Sequence, residues 1–562
     1  MTQPPPPPAH QPPGEFGPPQ QLPPGGFGAP QQPPPGGFGP PAPTQQQGPG
    51  HGSPQWPPAP QPQSALTPPP GPGGGKKLTT RMQLIIGAAV AVMLIAGGGV
   101  WYANSGGEKQ KNDAKNSSGP TGRSEHDKGG KKPLDGPGRE TAPPDPLARA
   151  VFEIPRPAVT GEAKVAGSWL TDTVYVKPGV NSVSGYDIAT GTPSWTIQLP
   201  GQPCAASRHT SRGNRTAIAF EAVKPRTAND VVPCTEVGAI DLNTGKLLWS
   251  KSVAGGTAGD EKVRFDEVTL SGNTVAASGE KGGAAWDLAD GRELWNPHVK
   301  SENCADEGYG GGGALVAVRR CGPYKSRYVE IQNINPATGT PISTYRMPKG
   351  FDYPSIVSTR PLVIAAKSVN SEDDGSGISD FFSVDEKTGT LKTIISAPPD
   401  RFAADCGFDV ADGCYGAVVG NGRLYLPTEE HEFRTDRYSR TNEIVSFDLT
   451  TGKPTSDKAE AGDLYELSPL RMDGGNLLVH RISLTGKGSQ IVSIDGGTFK
   501  PVTLLENRKK GSARKGECAF LPDFSETLYA KGRMFVSGGG IGKPQKSSTG
   551  ERTCLAVAYT TG

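Results

Sequence analysis

The sequence predicts an all-β ring of repeated four-stranded sheets, an eight-bladed β-propeller with seven blades as the alternative, preceded by one membrane-spanning helix and a disordered tail. Three observations lead there. From residue 148 onward a nine-residue hairpin motif running from Asp to Trp recurs at intervals of about 50 residues. One uncharged apolar run of 20 residues, 84–103, stands ahead of it. Everything before that run is rich in proline and almost free of charge.

Composition narrows the classes. Gly (77) and Pro (57) make up nearly a quarter of the 562 residues, and only 34% are hydrophobic. An ordinary soluble domain carries roughly 45–50%, counting Gly. That deficit excludes both a single compact globule and a multi-pass membrane protein. The 58 basic and 56 acidic residues are in near balance. A nucleic-acid protein would show a basic excess, so no nucleic-acid partner is expected.

Residues 1–75 hold 28 of the prolines and one fixed charge, Glu15. Such a segment has too little apolar surface to offset the entropy of ordering, and 1–83 are expected to form a disordered tail of polyproline II character. Phe16, Phe27 and Phe38 sit in similar Gly-flanked tetrads 11 residues apart. A cytoplasmic partner of this tail is one reading, a solvated spacer the other. The run 84–103 (LIIGAAVAVMLIAGGGVWYA) is long enough, at 1.5 Å per residue, to cross a 30 Å hydrocarbon core. Trp101 and Tyr102 fall where an interfacial aromatic belt would lie. The 80 residues ahead of it do not suit a cleaved signal peptide. All eight cysteines follow the span and none precedes it. An even set confined to one side suggests an oxidising compartment there. The expectation is a plasma-membrane protein with its N-terminus cytoplasmic and its C-terminal part extracytoplasmic. Residues 104–147 carry 8 basic and 7 acidic residues among Gly and Pro, and read as a flexible stalk.

The repeat sets the fold. Its three clear copies run Asp187…Gly191…Trp195, Asp241…Gly245…Trp249 and Asp287…Gly291…Trp295. Weaker copies begin at Asn335, at Asp385 (with Gly389) and at Asp448 (with Gly452). Asp495-Gly496-Gly497 reads as a shortened seventh, and 558–562 keep only the Thr-Gly end. In each copy an apolar strand ends in Asp, whose carboxylate can bond the turn backbone. Gly supplies the positive φ of the reversal. An apolar or Trp residue four positions beyond Gly can pack between neighbouring sheets. Each copy is thus a β-hairpin. A unit of 40–50 residues is the length of a four-stranded propeller blade. Runs such as 314–318 and 424–427 supply further strands. The last unit ends without an outer strand, while 150–157 form an unpaired strand at the other end. Joining them would close the ring.

These motifs resemble the PQQ-like β-propeller repeat, A-x-D-x-x-T-G-x-x-x-W, over roughly 148–562. Tail and anchor together resemble envelope proteins of actinobacteria. Matched positions in their blades pair Cys204 with Cys234 and Cys518 with Cys554. Cys304 and Cys321 flank a hairpin of blade four, and Cys406 and Cys414 enclose a short loop. Each local bridge would contribute about 2–4 kcal/mol.

Some relatives of this repeat are quinoprotein dehydrogenases. The resemblance would then imply a vicinal Cys-Cys ring over the quinone, and no Cys-Cys occurs here. No G-x-S-x-G elbow is present. Gly538–Lys543 lacks phosphate-loop spacing. Glu372-Asp373-Asp374-Gly375 lacks a full calcium ligand set, and Glu429-Glu430-His431-Glu432 reads as a surface charge cluster. His209, His298, His431 and His480 are scattered. No catalytic residue, cofactor or metal is expected, and the repeat residues are structural. The expected function is a single-pass, membrane-anchored protein-binding scaffold of the cell envelope, contacting envelope or secreted proteins through its loops. A ligand-sensing ectodomain that signals through a partner of the tail is the alternative, and a quinoprotein-type enzyme stands third.

Overall fold

The strand Arg149–Pro155 pairs antiparallel with the C-terminal strand Cys554–Thr560, and this pairing closes a ring of eight four-stranded sheets. The computed structural model describes residues 135–562 except 137, 160, 226, 228–229, 297–303, 369–377, 408–409, 435, 485–486, 509–519, 521–524 and 543–553. The expected tail and span lie outside the described residues, as do Cys518, His298 and Glu372–Gly375. Among the described residues no helix is long and apolar enough to cross a membrane.

Blades one to seven span 169–198, 203–251, 267–295, 305–346, 351–396, 418–460 and 465–506. Blade eight takes three strands from 525–560 and its outer strand from Arg149–Pro155. Each blade meanders from an inner first strand to an outer fourth, and first strands of neighbouring blades touch around the axis. Blade six carries an insertion, the hairpin His431–Phe433 with Asp436–Thr441, which reaches the first strand of blade seven through Thr441 and Tyr465. Middle strands are covered on both faces by adjacent sheets. They therefore read as unbroken apolar runs such as TAIAF in Arg215–Glu221 and LVIAA in Leu362–Ser368. The buried side chains fall into eight clusters, one at each interface between successive blades.

The repeat builds both the turn and the interface. In blade one the Asp187 Oδ1 atom accepts hydrogen bonds from the Ala189 and Thr190 amides at 3.0 and 2.9 Å, and from the Thr190 hydroxyl at 2.9 Å. Gly191 closes the turn at φ 72°, its amide donating to the Asp187 carbonyl at 2.8 Å. Asp241, Asp385 and Asp448 repeat the carboxylate pattern. Gly245, Gly291, Gly389 and Gly452 lie at φ between 65° and 71°. The seventh copy is not shortened. Asp495 caps Gly497 and Thr498 in the same way, and Phe499 occupies the glycine position at φ 57° with its ring buried between blades six and seven. Packing of that ring holds a backbone conformation that an L-residue otherwise disfavours.

The outer aromatic of one blade lies on the turn glycine of the next. A Cβ on Gly245 would stand 2.1 Å from the Trp195 ring, one on Gly291 2.7 Å from Trp249, and one on Gly339 3.0 Å from Trp295. Phe152, on the closing strand, takes the same place against Gly191 at 2.2 Å. Two indoles also anchor by hydrogen bond across the interface, Trp249 to the Leu288 carbonyl at 3.0 Å and Trp295 to that of Pro336 at 3.3 Å.

Residues 135–147, expected within the stalk, lie against the ring. The Asp135 amide donates to Asn421 Oδ1 at 2.9 Å, and the Gly475 amide to the Gly136 carbonyl at 2.6 Å. The Arg139 and Glu140 amides share Asp473 Oδ2 at 2.8 and 2.9 Å, and Glu140 receives the Lys531 amide and an Arg471 guanidinium N–H. Asn421, Gly475 and Lys531 belong to the first turns of blades six, seven and eight. The segment is a strap across three blades. Composition hides this, because its partners are backbone groups and single polar side chains rather than an apolar face.

The glycine contact has a direct test. Gly245→Ala meets both a positive φ and the Trp195 ring, and is expected to cost about 2–4 kcal/mol. Gly272→Ala, at φ 58° with no atom within 4 Å of its new Cβ, is expected to cost only about 1 kcal/mol. Urea unfolding of the two variants checks the difference, and equal losses would remove the ring contact from the account.

Candidate functional site

Antiparallel blades give the ring two unlike faces. First-to-second and third-to-fourth turns share one face, and the described turns there are short. Second-to-third and blade-to-blade connections share the other, where 222–233, 252–266, 397–417 and 428–442 are much longer. The described cysteine pairs all lie at this loop face. Cys204 and Cys234 join the starts of the first and third strands of blade two. Cys304 and Cys321 fasten the two ends of the first hairpin of blade four. Cys406 and Cys414 close a loop between blades five and six. Cys554 begins the third strand of blade eight on the same face and is buried. In the loop 222–233 of blade two, Val223 and Val231 are 58% and 89% exposed, and Val231 stands three residues before Cys234.

The loop between Cys406 and Cys414 enters the axial channel. The Ala411 carbonyl accepts from the Ile356 amide of blade five at 2.6 Å, and the Ala411 amide donates to Glu267 of blade three at 2.6 Å. Asp412 Oδ2 meets His209 Nε2 of blade two at 3.0 Å and the Thr269 hydroxyl of blade three at 2.8 Å. The Arg208 guanidinium donates to the Cys414 carbonyl at 3.1 Å, and the Ser355 hydroxyl to that of Gly407 at 3.1 Å. A loop rooted between blades five and six thus binds blades two, three and five, which places it across the axis as a plug. Glycines make room for it. A Cβ on Gly308 would stand 2.3 Å from Ala411, and one on Gly310 2.7 Å from Ile356.

Glu267 is the hub of this closure. Its carboxyl accepts from the Tyr309 amide at 2.5 Å, the Ser278 hydroxyl at 2.7 Å and the Ala411 amide. Burial pushes it up to about 7, against the lowering effect of these hydrogen bonds. Burial and the adjacent Asp306 carboxylate also hold the Tyr309 phenol well above its ordinary value, so it stays a neutral donor to Asp306 Oδ2 at 2.7 Å. Elsewhere, burial lowers His480 of blade seven to about 4, where its ring faces Thr527 of blade eight.

The predicted repeat residues lie in the turns and interfaces described above. They form no cleft. His431 joins Glu443 at 2.9 Å with Lys458 at 3.1 Å from the same carboxylate, a charge cluster at the surface. In the segment 538–543, Gly540–Ile541 pair with Ala163–Lys164 and so have a structural role. Among the described residues no group of three or more His, Cys, Asp or Glu gathers as a metal would require. Sequence reasoning missed Glu267, His209 and Asp412 as a group. Asp412 lies within the Cys406–Cys414 loop, which was a usable signal. Glu267 opens an ordinary strand and carries none.

A ring of eight four-stranded meanders whose first and last strands share one blade is a β-propeller. Residues 158–311 match the family model described as outer membrane protein assembly factor BamB, a PQQ-type repeat. Over those residues the propeller is similar to the PQQ-like β-propeller repeat. No curated protein sequence matches. Among solved structures, BamB from Moraxella catarrhalis is similar at 12% identity over 72% of this chain and 99% of its own, with a TM-score of 0.37. The dihydro-heme d1 dehydrogenase NirN is similar at 10% identity over 66% of this chain and 75% of its own, with a TM-score of 0.36. The β-propeller domain of Cps50 (Swd1) from Myceliophteria thermophila is similar at 11%, over 58% and 96%, with a TM-score of 0.34.

Two buried groups give opposing pH terms. Folding raises Glu267, so the native state holds its proton more tightly, and stability falls as pH rises from about 4.5 to about 7. Folding lowers His480, so stability is present above about 6.5 and is lost as pH falls towards 4. The two offset each other between about 4.5 and 6.5. In unfolding titrations Glu267→Gln is expected to steepen the loss toward acid, and His480→Leu to reverse it into a gain. Unchanged slopes in both variants would contradict these assignments.

Proposed function

We propose that the chain is a membrane-anchored, extracytoplasmic protein-binding scaffold of the cell envelope whose partners dock on the loop face. The observation that carries this reading is the division of labour between the faces. Long connections and all described cysteine pairs share one face, and the axial channel is filled by the chain itself. A rigid ring with fastened, variable loops suits recognition of a protein surface. The match to a family model bearing the name of an assembly factor points the same way, as a fold-level analogy. The anchor is the run 84–103, and the oxidising side is read from the cysteines that follow it.

Photo-crosslinking in intact cells tests the reading. A crosslinker at Val231, on the loop face, is expected to capture specific envelope proteins, whereas one at Thr190, on the turn face, is not. Equal capture from both faces, or none from Val231, would overturn the docking assignment. A membrane-impermeant maleimide, applied after reduction of intact cells, is expected to label the propeller cysteines. Labelling only after lysis would overturn the topology.

A further inference from the structure

The interface between blades three and four differs from the other seven. Its apolar cluster is the smallest, with six buried members: Ala276, Ala285, Tyr309, Leu315, Ala317 and Ile334. The interface of blades two and three buries fourteen, including Trp249 and Trp286. Beside the small cluster runs a polar row on blade four, Asp306, Arg319 and Gln332, one residue from each of its first three strands. Arg319 and Gln332 are each only 6% exposed. The Arg319 Nε–H donates to Asp306 Oδ1, and its Nη1 to Gln332 Oε1 at 3.3 Å. The strand facing them on blade three, Gly282–Asp287, opens with Gly-Gly-Ala-Ala. It fills little of the space, and the Tyr309 phenol takes the room at Gly283, where a Cβ would stand 2.2 Å from its oxygen. A cleft of about 150 Å³ remains.

Burying a charged row between blades costs desolvation that an apolar interface avoids. Charge is buried at one other blade interface as a single pair, Lys177 of blade one with Glu526 of blade eight at 3.5 Å, whereas here three polar side chains stand in a row. Among the lining residues cations outnumber carboxylates, and Glu330 stands just behind them, its Oε2 accepting from Gln332 Nε2 at 3.2 Å. Lys281 and Arg319 are cationic, and Asp306 is the single carboxylate among its lining residues. Both Asp306 oxygens are already engaged, Oδ1 by Arg319 and Oδ2 by the Tyr309 hydroxyl. Lys281 is exposed at the mouth of the cleft. Trp295, Ala317 and Ile334 form the apolar part of the wall, and Asn296, Gln332, Thr338 and Thr340 the polar part.

We propose that this cleft binds a small organic carboxylate, its ring or chain against Trp295 and Ile334 and its charge answered by Lys281. The size sets the class. A cavity of roughly 150 Å³ accommodates a molecule the size of benzene. The site goes beyond scaffolding and does not depend on it, because its walls lie between blades three and four, with Lys281 of the second-to-third turn of blade three at its mouth on the loop face.

Benzoate and its neutral isostere benzamide are the probes, titrated calorimetrically into the full-length chain in detergent at low ionic strength. Benzoate is expected to bind at one site, and benzamide about tenfold more weakly or worse, as loss of a charged hydrogen bond implies. Lys281→Glu is expected to weaken benzoate by at least the same factor. Lys281→Gln is expected to fall between, and since the side chain is exposed, both variants should keep the wild-type melting temperature. Absence of benzoate binding, equal affinity for benzamide, or unchanged binding in Lys281→Glu would each overturn the proposal.

Discussion

Ring closure in this propeller depends on a contact between an aromatic ring and a residue without a side chain. Trp195 lies where a Cβ of Gly245 would be, and Trp249, Trp295 and Phe152 repeat the arrangement at three other interfaces. Glycine serves twice at these positions. It adopts the positive φ that ends the turn, and it leaves the flat surface on which the neighbouring ring rests. The Asp carboxylate upstream fixes the turn so that this surface faces the preceding blade. Local hydrogen bonding and packing between blades are therefore one device. In the degenerate copies the aromatic is replaced by backbone contact. The Ser343 hydroxyl reaches the Glu386 carbonyl at 2.7 Å, and a Cβ on Gly389 would meet the Thr344 carbonyl.

Because the turn face is committed to holding the ring, insertions accumulate on the opposite face. The bridges there fasten strand starts and loop ends rather than the middle of sheets, which the hydrophobic clusters already hold. One fastened loop turns inward. Through Ala411 and Asp412 it exchanges hydrogen bonds with three blades and closes the axis. A polar hub inside a low-dielectric channel requires every donor and acceptor to be matched. Glu267 meets that demand with three partners from two blades and the plug.

The sequence made the ring legible because its signal is periodic and local. The Asp-x-x-Thr-Gly turns and the outer tryptophans can be counted without knowing what they touch, and the unpaired strand at 150–157 announced the closure. The three described cysteine pairs follow from their matched or adjacent positions in the blades. What stayed hidden depends on contacts between distant segments. Glu267, Asp412 and His209 come from three separate parts of the chain, and none stands in a motif. The strap at 135–147 has stalk-like composition, and only its hydrogen bonds to Asn421, Asp473 and Lys531 distinguish it from a linker. Asp495-Gly496-Gly497 reads as a shortened repeat because a bulky residue at positive φ, here Phe499, is the last one a turn pattern would lead one to expect. The polar row at blades three and four was equally silent, since Asp306, Arg319 and Gln332 lie on separate strands.

The central claim is that the loop 406–414 is an integral plug of a rigid ring, which leaves the loop face for recognition. Amide hydrogen exchange at Ala411 in the full-length chain measures it most directly. Protection comparable to the inner strands of blades three and five is expected, because the Ala411 amide donates to the buried Glu267 and the Ala411 carbonyl accepts from the Ile356 amide. Exchange as fast as in the exposed loop 222–233 would show an open axis, and would return the channel to the list of places where a ligand could bind.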